Sequence, residues 1–206
     1  MPLLARILEP DLFGVEMEDA GQPVFLPLLE EALVEKAAPK RRREFALGRA
    51  CAREALERLG HRDVVIGRSA SGAPLWPQGI AGSITHTKGY AAAMVCAARH
   101  FFGIGLDAER VGGVTPDFWP RLFDAHECHH LMSLNDAEQM VTATVIFSAK
   151  EACYKAWGCA GTLEFRKIRI TPERDGFTAA RSGQELHGRY AVDGDLVLTA
   201  AWLYRS

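Results

Sequence analysis

The sequence predicts a mixed α/β protein assembled from two similar halves, and three observations carry that expectation. Two stretches, Pro39 to Leu59 and Asp136 to Trp157, have the apolar spacing and end signals of long helices. They also read as copies: Phe45-x3-Arg49-Ala50-Cys51-x-Arg53 aligns with Phe147-x3-Glu151-Ala152-Cys153-x-Lys155 at an offset of 102 residues. Each is followed about 45 residues later by an apolar segment, Tyr90–Ala98 and Leu196–Leu203. A match this short also arises by chance, but self-similarity at a fixed offset is the mark of a repeated unit. On that reading the halves are residues 1–103 and 104–206, and a site at their interface is natural.

The elements follow in order. Residues 1–38 read as a strand-and-loop lead-in interrupted by Pro2, Pro10, Pro23 and Pro27. The first helix opens on Pro39 and stops at Gly60, with Phe45, Ala52, Leu56 and Leu59 on its inward face. Gly72-Ala-Pro-Leu-Trp-Pro77 is a turn-rich loop, Gly82 to Lys88 a polar, hydroxyl-rich loop, and Tyr90–Ala98 a buried strand whose alanines would equally suit a helix. The second helix is closed by Gly158 and Gly161. A strand near Leu163–Ile170, a turn at Asp175-Gly176, a hairpin at Asp193-Gly194 and a last strand over Leu196–Leu203 complete the chain.

Composition bounds the function. The chain has 206 residues, 48% hydrophobic and 24% charged, enough to bury a sizeable core. A formal charge of −2 gives no reason to expect nucleic acid or a membrane surface as the main partner. No apolar run approaches the ~18–20 residues that span a bilayer, and the N-terminus shows no secretory peptide. The five cysteines, Cys51, Cys96, Cys128, Cys153 and Cys159, are odd in number and scattered, which fits reduced thiols in a cytosol.

Four groups of residues could carry chemistry. Arg42, Arg49 and Arg53 stand at i, i+7 and i+11, within about 40° of one another on a helix; they form either a solvated face or a phosphate clamp. Gly82-Ser83-Ile84-Thr85-His86-Thr87-Lys88-Gly89 is either an ordinary turn or a cradle for phosphate oxygens. Asp107 and Glu109, at i, i+2 after a Gly-rich apolar run, would project to one side of an extended segment and offer the oxygen ligands a hard cation takes. Lys150, Glu151 and Lys155 on the second helix are either a surface pair or a third carboxylate flanked by two cations.

His126-Glu127-Cys128-His129-His130 contains H-E-x-x-H, the pattern of zinc metallopeptidases. Asp124 would cap such a helix and put His126 and His130 on one face. Ser133 and Asp136 replace the Gly and third His of the extended form, so an exposed His-rich helix face is the better reading.

The order of these features is more specific than any one of them. Arg42-x-Glu44-Phe45-x-x-Gly48-Arg49-x-x-Ala52-Arg53-x-Ala55-Leu56 comes first, then Gly72-x-Pro74-x-Trp76-Pro77 and Gly82-Ser83-Ile84-Thr85-His86. Gly105-Leu106-Asp107-x-Glu109 and Phe147-Ser148-Ala149-Lys150-Glu151-x-x-x-Lys155-Ala156 follow. Together, over Pro39 to Trp157, the chain resembles the 4′-phosphopantetheinyl transferases, in particular the enterobactin and surfactin synthetase type. It departs at Ala108, commonly Ile or Val in the family, and Ala152, commonly Ser; neither change removes a charged group.

The resemblance implies a pseudo-twofold pair of α/β halves with coenzyme A between them, the nucleotide end in the first half and the metal and catalytic residues in the second. It implies that Asp107, Glu109 and Glu151 hold magnesium, and that Glu151 and Lys155 are catalytic. Arg49, Arg53, Gly72, Pro74, Ser83, Thr85, His86, Lys150 and Lys155 would bind coenzyme A. It implies holo-[acyl-carrier-protein] synthase chemistry: a carrier serine attacks the β-phosphate and 3′,5′-ADP departs, in siderophore or nonribosomal peptide, polyketide or fatty-acid synthesis. The expected partners are coenzyme A and apo acyl or peptidyl carrier domains, and the expected protein is a cytoplasmic monomer. Two alternatives stay open at this point, a non-catalytic coenzyme A-binding protein and a zinc peptidase acting through His126 and His130.

Overall fold

The computed structural model describes residues 1–158 and 162–205. Strand β1 (Phe13–Glu18) and a single helical turn α1 (Leu28–Glu31) precede the long helix α2 (Pro39–Arg58). A two-residue ladder, β2 (Gly67–Arg68) and β3 (Pro74–Leu75), leads to the hairpin β4 (Ile80–Thr87) and β5 (Tyr90–Ala97) and then to β6 (Phe101–Arg110). Short helices α3 (Trp119–Leu122) and α4 (Ala125–Met132) precede the second long helix, α5 (Asp136–Ala156). Strands β7 (Arg169–Pro172), β8 (Gly176–Arg181), β9 (Gln184–Asp193) and β10 (Leu196–Tyr204) end the chain.

Both long helices have physical reasons to start and stop where they do. Pro39 fills the first turn of α2, and Gly60, at φ +94°, ends it in a Schellman motif: its N–H reaches Glu57 O and that of His61 reaches Leu56 O. Capping boxes open α4 at Asp124 and α5 at Asn135. Beyond α5, Gly158 adopts φ +61° and its N–H bonds Lys155 O; the second expected stop, Gly161, lies outside the described residues, as does Cys159.

The topology repeats. In the first half the sheet order is β1-β5-β4, and α2 lies between β1 and the β4–β5 hairpin in the chain. In the second half β6-β10-β9 has the same antiparallel order, α5 lies between β6 and the β9–β10 hairpin, and β8 and β7 extend the sheet. The two sheets face each other, each with its helix on the outside. Leu4, Ile7, Met94, Leu106, Leu198 and Trp202 fill the space between the sheets, while Leu47, Cys51 and Leu56 of α2 cover the other face of β5. Burial on both faces explains why Tyr90–Ala97 reads as an unbroken apolar run rather than an alternation.

Helix α5 lies directly against β6. A Cβ at Gly105 would stand 1.8 Å from Ala152 O, and one at Gly103 equally close to Ala156 O, so only glycine admits this approach. The approach puts Glu151 and Lys155 of the helix beside Asp107 and Glu109 of the strand. Among the described residues no helix is long and apolar enough to cross a membrane.

Two expected elements differ. Gly82–Lys88 is not a loop: Ile80–Thr87 is β4, in which Ile80, Ile84, Thr85 and Thr87 are β-branched and Ser83 and Thr85 are buried. The strand expected over Leu163–Ile170 is a 3₁₀ turn at Phe165–Lys167 followed by β7.

Candidate active site

The halves are stitched together by two hydroxyls. Ser83 Oγ on β4 accepts from Leu106 N at 2.9 Å, and Thr85 Oγ1 accepts from Ala108 N at 3.0 Å. Both side chains are buried, and each hydroxyl oxygen serves this seam as an acceptor. Their role is to fix β4 against β6, so that His86 and Asp107 sit on either side of one junction.

On the first-half side of the junction lies a cavity of about 150 Å³, lined by Arg41, Glu44, Phe45, Gly48 and Arg49 of α2, Arg68, Gly72 and Pro74 of the β2–β3 ladder, and Ile84 and His86 of β4. Arg49 is only 2% exposed. Its Nη2 donates to Gly67 O at 3.1 Å, but Nε and Nη1 have no hydrogen-bond partner. Burial and the charges of Arg53 and Arg68 disfavour its cation, and only Glu30 opposes them through its charge. A buried guanidinium with two unpaired nitrogens is costly unless an anion completes it.

Gly72, at φ +90°, turns the ladder so that Arg68 Nε reaches Gly72 O at 3.3 Å. The ring of His86 accepts from Arg41 at Nε2 and turns Nδ1 toward Glu44 at 3.7 Å. Burial, then the Arg41 charge, holds this imidazole below its ordinary pKa, which favours the neutral ring. Arg41 and Arg68 escaped the sequence reading. Arg41 is off the i, i+7, i+11 stripe, and Arg68 reaches the cavity only through the ladder turn.

Arg53 does not join this cavity. Its guanidinium pairs with the fully buried Glu30 and donates to Phe25 O at 2.8 Å, while the other oxygen of Glu30 takes Ile66 N. Arg42 likewise pairs with Glu31 at 2.9 Å. The stripe is therefore divided: its middle member faces the cavity and its ends hold the 25–31 segment.

On the second-half side, Lys155 Nζ donates to Leu106 O at 2.9 Å and to Asp107 Oδ1 at 2.8 Å. Glu109 is pushed up to about 7 by burial and by the charges of Asp107 and Glu151, with Lys155 opposing. Glu151 is raised by burial and then by Asp107, again with Lys155 opposing. The charge of Asp107 thus disfavours ionisation of both glutamates, and crowded carboxylate charge is what a hard cation relieves. Among the described residues no three His, Cys, Asp or Glu side chains are gathered closely enough to hold a metal ion by themselves. An open set still fits magnesium, which usually takes one or two carboxylates together with substrate phosphates and water. Lys155 and Asp107 both act on the charge state of His86, so the cavity and the carboxylates form one electrostatic site.

Lys150 is placed elsewhere. It is fully buried, donating to Glu127 Oε2 at 2.6 Å, Leu122 O at 2.9 Å and Phe165 O at 3.0 Å. A residue adjacent to Glu151 on a helix points about 100° away from it, and here that direction is the interior. Glu127, the general base of the peptidase reading, is used up by Lys150 and by the N–H groups of Asp124 and Ile170. His126 is exposed, so the H-E-x-x-H pattern is a capped helix whose Glu faces the core.

Two family models match the chain. That of the 4′-phosphopantetheinyl transferase N-terminal domain covers residues 29–96, and that of the 4′-phosphopantetheinyl transferase superfamily covers residues 103–201. The 4′-phosphopantetheinyl transferase Npt of Nocardia iowensis is 38% identical over 93% of this chain and 86% of its own length. Svp of Streptomyces mobaraensis is 35% identical over 86% of this chain and 79% of its own, and PptT of Mycobacterium tuberculosis 36% identical over 86% of each. The chain belongs to the 4′-phosphopantetheinyl transferase superfamily.

Proposed function

We propose that the chain transfers the 4′-phosphopantetheine arm of coenzyme A to a serine of an apo acyl or peptidyl carrier protein, releasing 3′,5′-ADP. The observation that carries this reading is Arg49, buried with two unpaired nitrogens in a cavity whose His86 feels the charges of Asp107 and Lys155. A ligand with a phosphate at one end and a pyrophosphate at the other answers both features.

Residues 1–103 would hold the nucleotide end. Arg49 takes a phosphate through Nε and Nη1, with Arg41, Arg68 and His86 as further donors and Gly72 and Pro74 forming the wall. Residues 104–206 would supply the metal and the chemistry. Asp107, Glu109 and Glu151 hold magnesium, which when bound neutralises the pyrophosphate. Lys155 leaves Asp107 for a phosphate oxygen. The carrier hydroxyl forms the new P–O bond, the P–O bond to the 3′,5′-ADP leaving group breaks, and the hydroxyl proton passes to Glu151. No nucleophile of the chain is needed, because the nucleophile arrives on the carrier.

A monomer working in the cytoplasm belongs to the same proposal, supported by a site built from one chain and by thiols that are free at Cys51, Cys96, Cys128 and Cys153. The test is incubation with coenzyme A, magnesium and a set of apo carriers, read by intact mass. A gain of one phosphopantetheine on a carrier is expected; unmodified carriers throughout would overturn the proposal.

A further inference from the structure

Asp107 on β6 and Thr199 on β10 are direct cross-strand partners, and Ser148 of α5 lies against both. Ser148 Oγ donates to Asp107 Oδ2 at 2.9 Å and lies 2.8 Å from Thr199 Oγ1. Since the Ser148 proton is engaged with the carboxylate, Thr199 must be the donor in the second bond. The chain of donation therefore runs from Thr199 to Ser148 to Asp107. Ser148 and Thr199 are both 0% exposed and Asp107 is 5% exposed.

The two oxygens of Asp107 thus have different surroundings. Oδ2 is tied to the interior by Ser148, while Oδ1 faces Lys155 at 2.8 Å and Thr85 at 3.4 Å. Both hydroxyls are fully enclosed, where a side chain without a polar group would have no hydrogen bond to satisfy. A buried hydroxyl is retained when it has a partner to serve, and bonds in series that end on a charge strengthen one another.

We propose that Ser148 and Thr199 are positioning residues that hold Oδ2 of Asp107 inward and so present Oδ1 to the cation and to Lys155. The inference rests on the assignment of Asp107 as a magnesium ligand and deepens it, adding two residues that touch neither substrate nor metal.

The experiment uses Thr199→Val, which keeps the shape and removes the donor, with Thr199→Ser as the conservative rescue and Ser148→Ala as the more severe break. Manganese binding is followed by electron paramagnetic resonance in the presence of coenzyme A, alongside the magnesium dependence of transfer and the melting temperature. Loss of an outer partner of a metal ligand typically weakens binding about 10- to 100-fold. Thr199→Val is expected near the lower end, with coenzyme A affinity in chelator within about twofold of the parent and Thr199→Ser restoring manganese binding. Thr199→Val with parental manganese affinity and magnesium dependence, whatever its melting temperature, overturns the inference and leaves the transferase reading standing. A parent protein that binds no manganese overturns the metal assignment and the inference together. Should Ser148→Ala fail to fold, Thr199→Val decides alone.

Discussion

Lys150 and Glu127 meet at 2.6 Å in the interior, with neither side chain reaching solvent. The pair ties α5 to α4, and its remaining bonds reach Leu122, Phe165 and Ile170. Burial pushes the Lys150 ammonium down and the Glu127 carboxyl up, and each partner's charge opposes the shift in the other. Lys150 therefore serves the reaction indirectly, by fixing the helix that carries Glu151.

Breaking one partner of a buried, hydrogen-bonded pair leaves an uncompensated charge and costs about 3–5 kcal/mol. Lys150→Met and Glu127→Leu are each expected to lower stability by roughly that amount in urea or thermal unfolding. The double variant should recover part of the loss, because no lone charge remains, but the N–H groups of Asp124 and Ile170 and the carbonyls of Leu122 and Phe165 still lose a partner. Single variants that melt with the parent would show that the pair is not closed in solution.

Arg49 and Arg53 share a helix face and should nevertheless fail in different ways. Arg49→Ala removes a charge-assisted phosphate contact, worth about 1.5–3 kcal/mol, or roughly ten- to hundredfold. The Michaelis constant for coenzyme A should rise by that factor while saturating turnover changes little, since the contact is equal in ground and transition states. Discrimination against dephospho-coenzyme A should fall in parallel. Arg53→Ala strips the partner from buried Glu30, so a lower melting temperature with near-parental discrimination is expected. Equal discrimination in Arg49→Ala and the parent would place the clamp elsewhere.

The architecture was legible because it repeats. The 102-residue offset between Phe45 and Phe147 marked two equivalent helices, and the end signals at Pro39, Gly60, Asp124 and Gly158 are local chemistry. The partners of individual site residues were less legible. A helical wheel gives the direction of Arg49 and Arg53 but not that Glu30, some twenty residues earlier, intercepts the second. That the hydroxyls of Ser83 and Thr85 also accept from β6 was not legible, because a contact between halves has no local signal. Lys150 shows the same limit, with its partner on another helix.

Glu109 gives the chain a pH dependence of known sign. Its carboxyl is held at about 7, above the ordinary 4.5, by burial and by Asp107 and Glu151. Between those values the folded state binds more protons than the unfolded state, so stability is fully present at acid pH and declines as pH rises through 7. Glu109→Gln removes that decline. Its melting temperature should match the parent near pH 5 and exceed it by about 2–4 °C at pH 8, the shift that 1 kcal/mol produces in a chain of this size. Magnesium with coenzyme A should raise the parent at pH 8 by more than it raises the variant, which keeps the nucleotide cavity but lacks one carboxylate. A variant that melts below the parent at pH 8 without metal would mean that the carboxylates do not repel one another.

Asp107 and Lys155 predict opposite effects on the same ligand. In the absence of metal the three carboxylates repel the pyrophosphate of coenzyme A, and Lys155, paired with Asp107 at 2.8 Å, offsets part of that field. Asp107→Asn keeps the shape and the Ser148 contact but removes a charge. It should bind coenzyme A in chelator at least as tightly as the parent, while losing about a hundredfold or more in transfer, the scale on which preorganised charge acts at a reacting centre. Lys155→Ala should weaken coenzyme A binding in chelator and slow transfer together, because it removes a cation from both states. Calorimetric titration of each variant with coenzyme A, with and without magnesium, separates the cases. If Asp107→Asn bound coenzyme A more weakly than the parent in chelator, the carboxylate would be contacting the ligand directly, and the metal would have to be assigned to other residues.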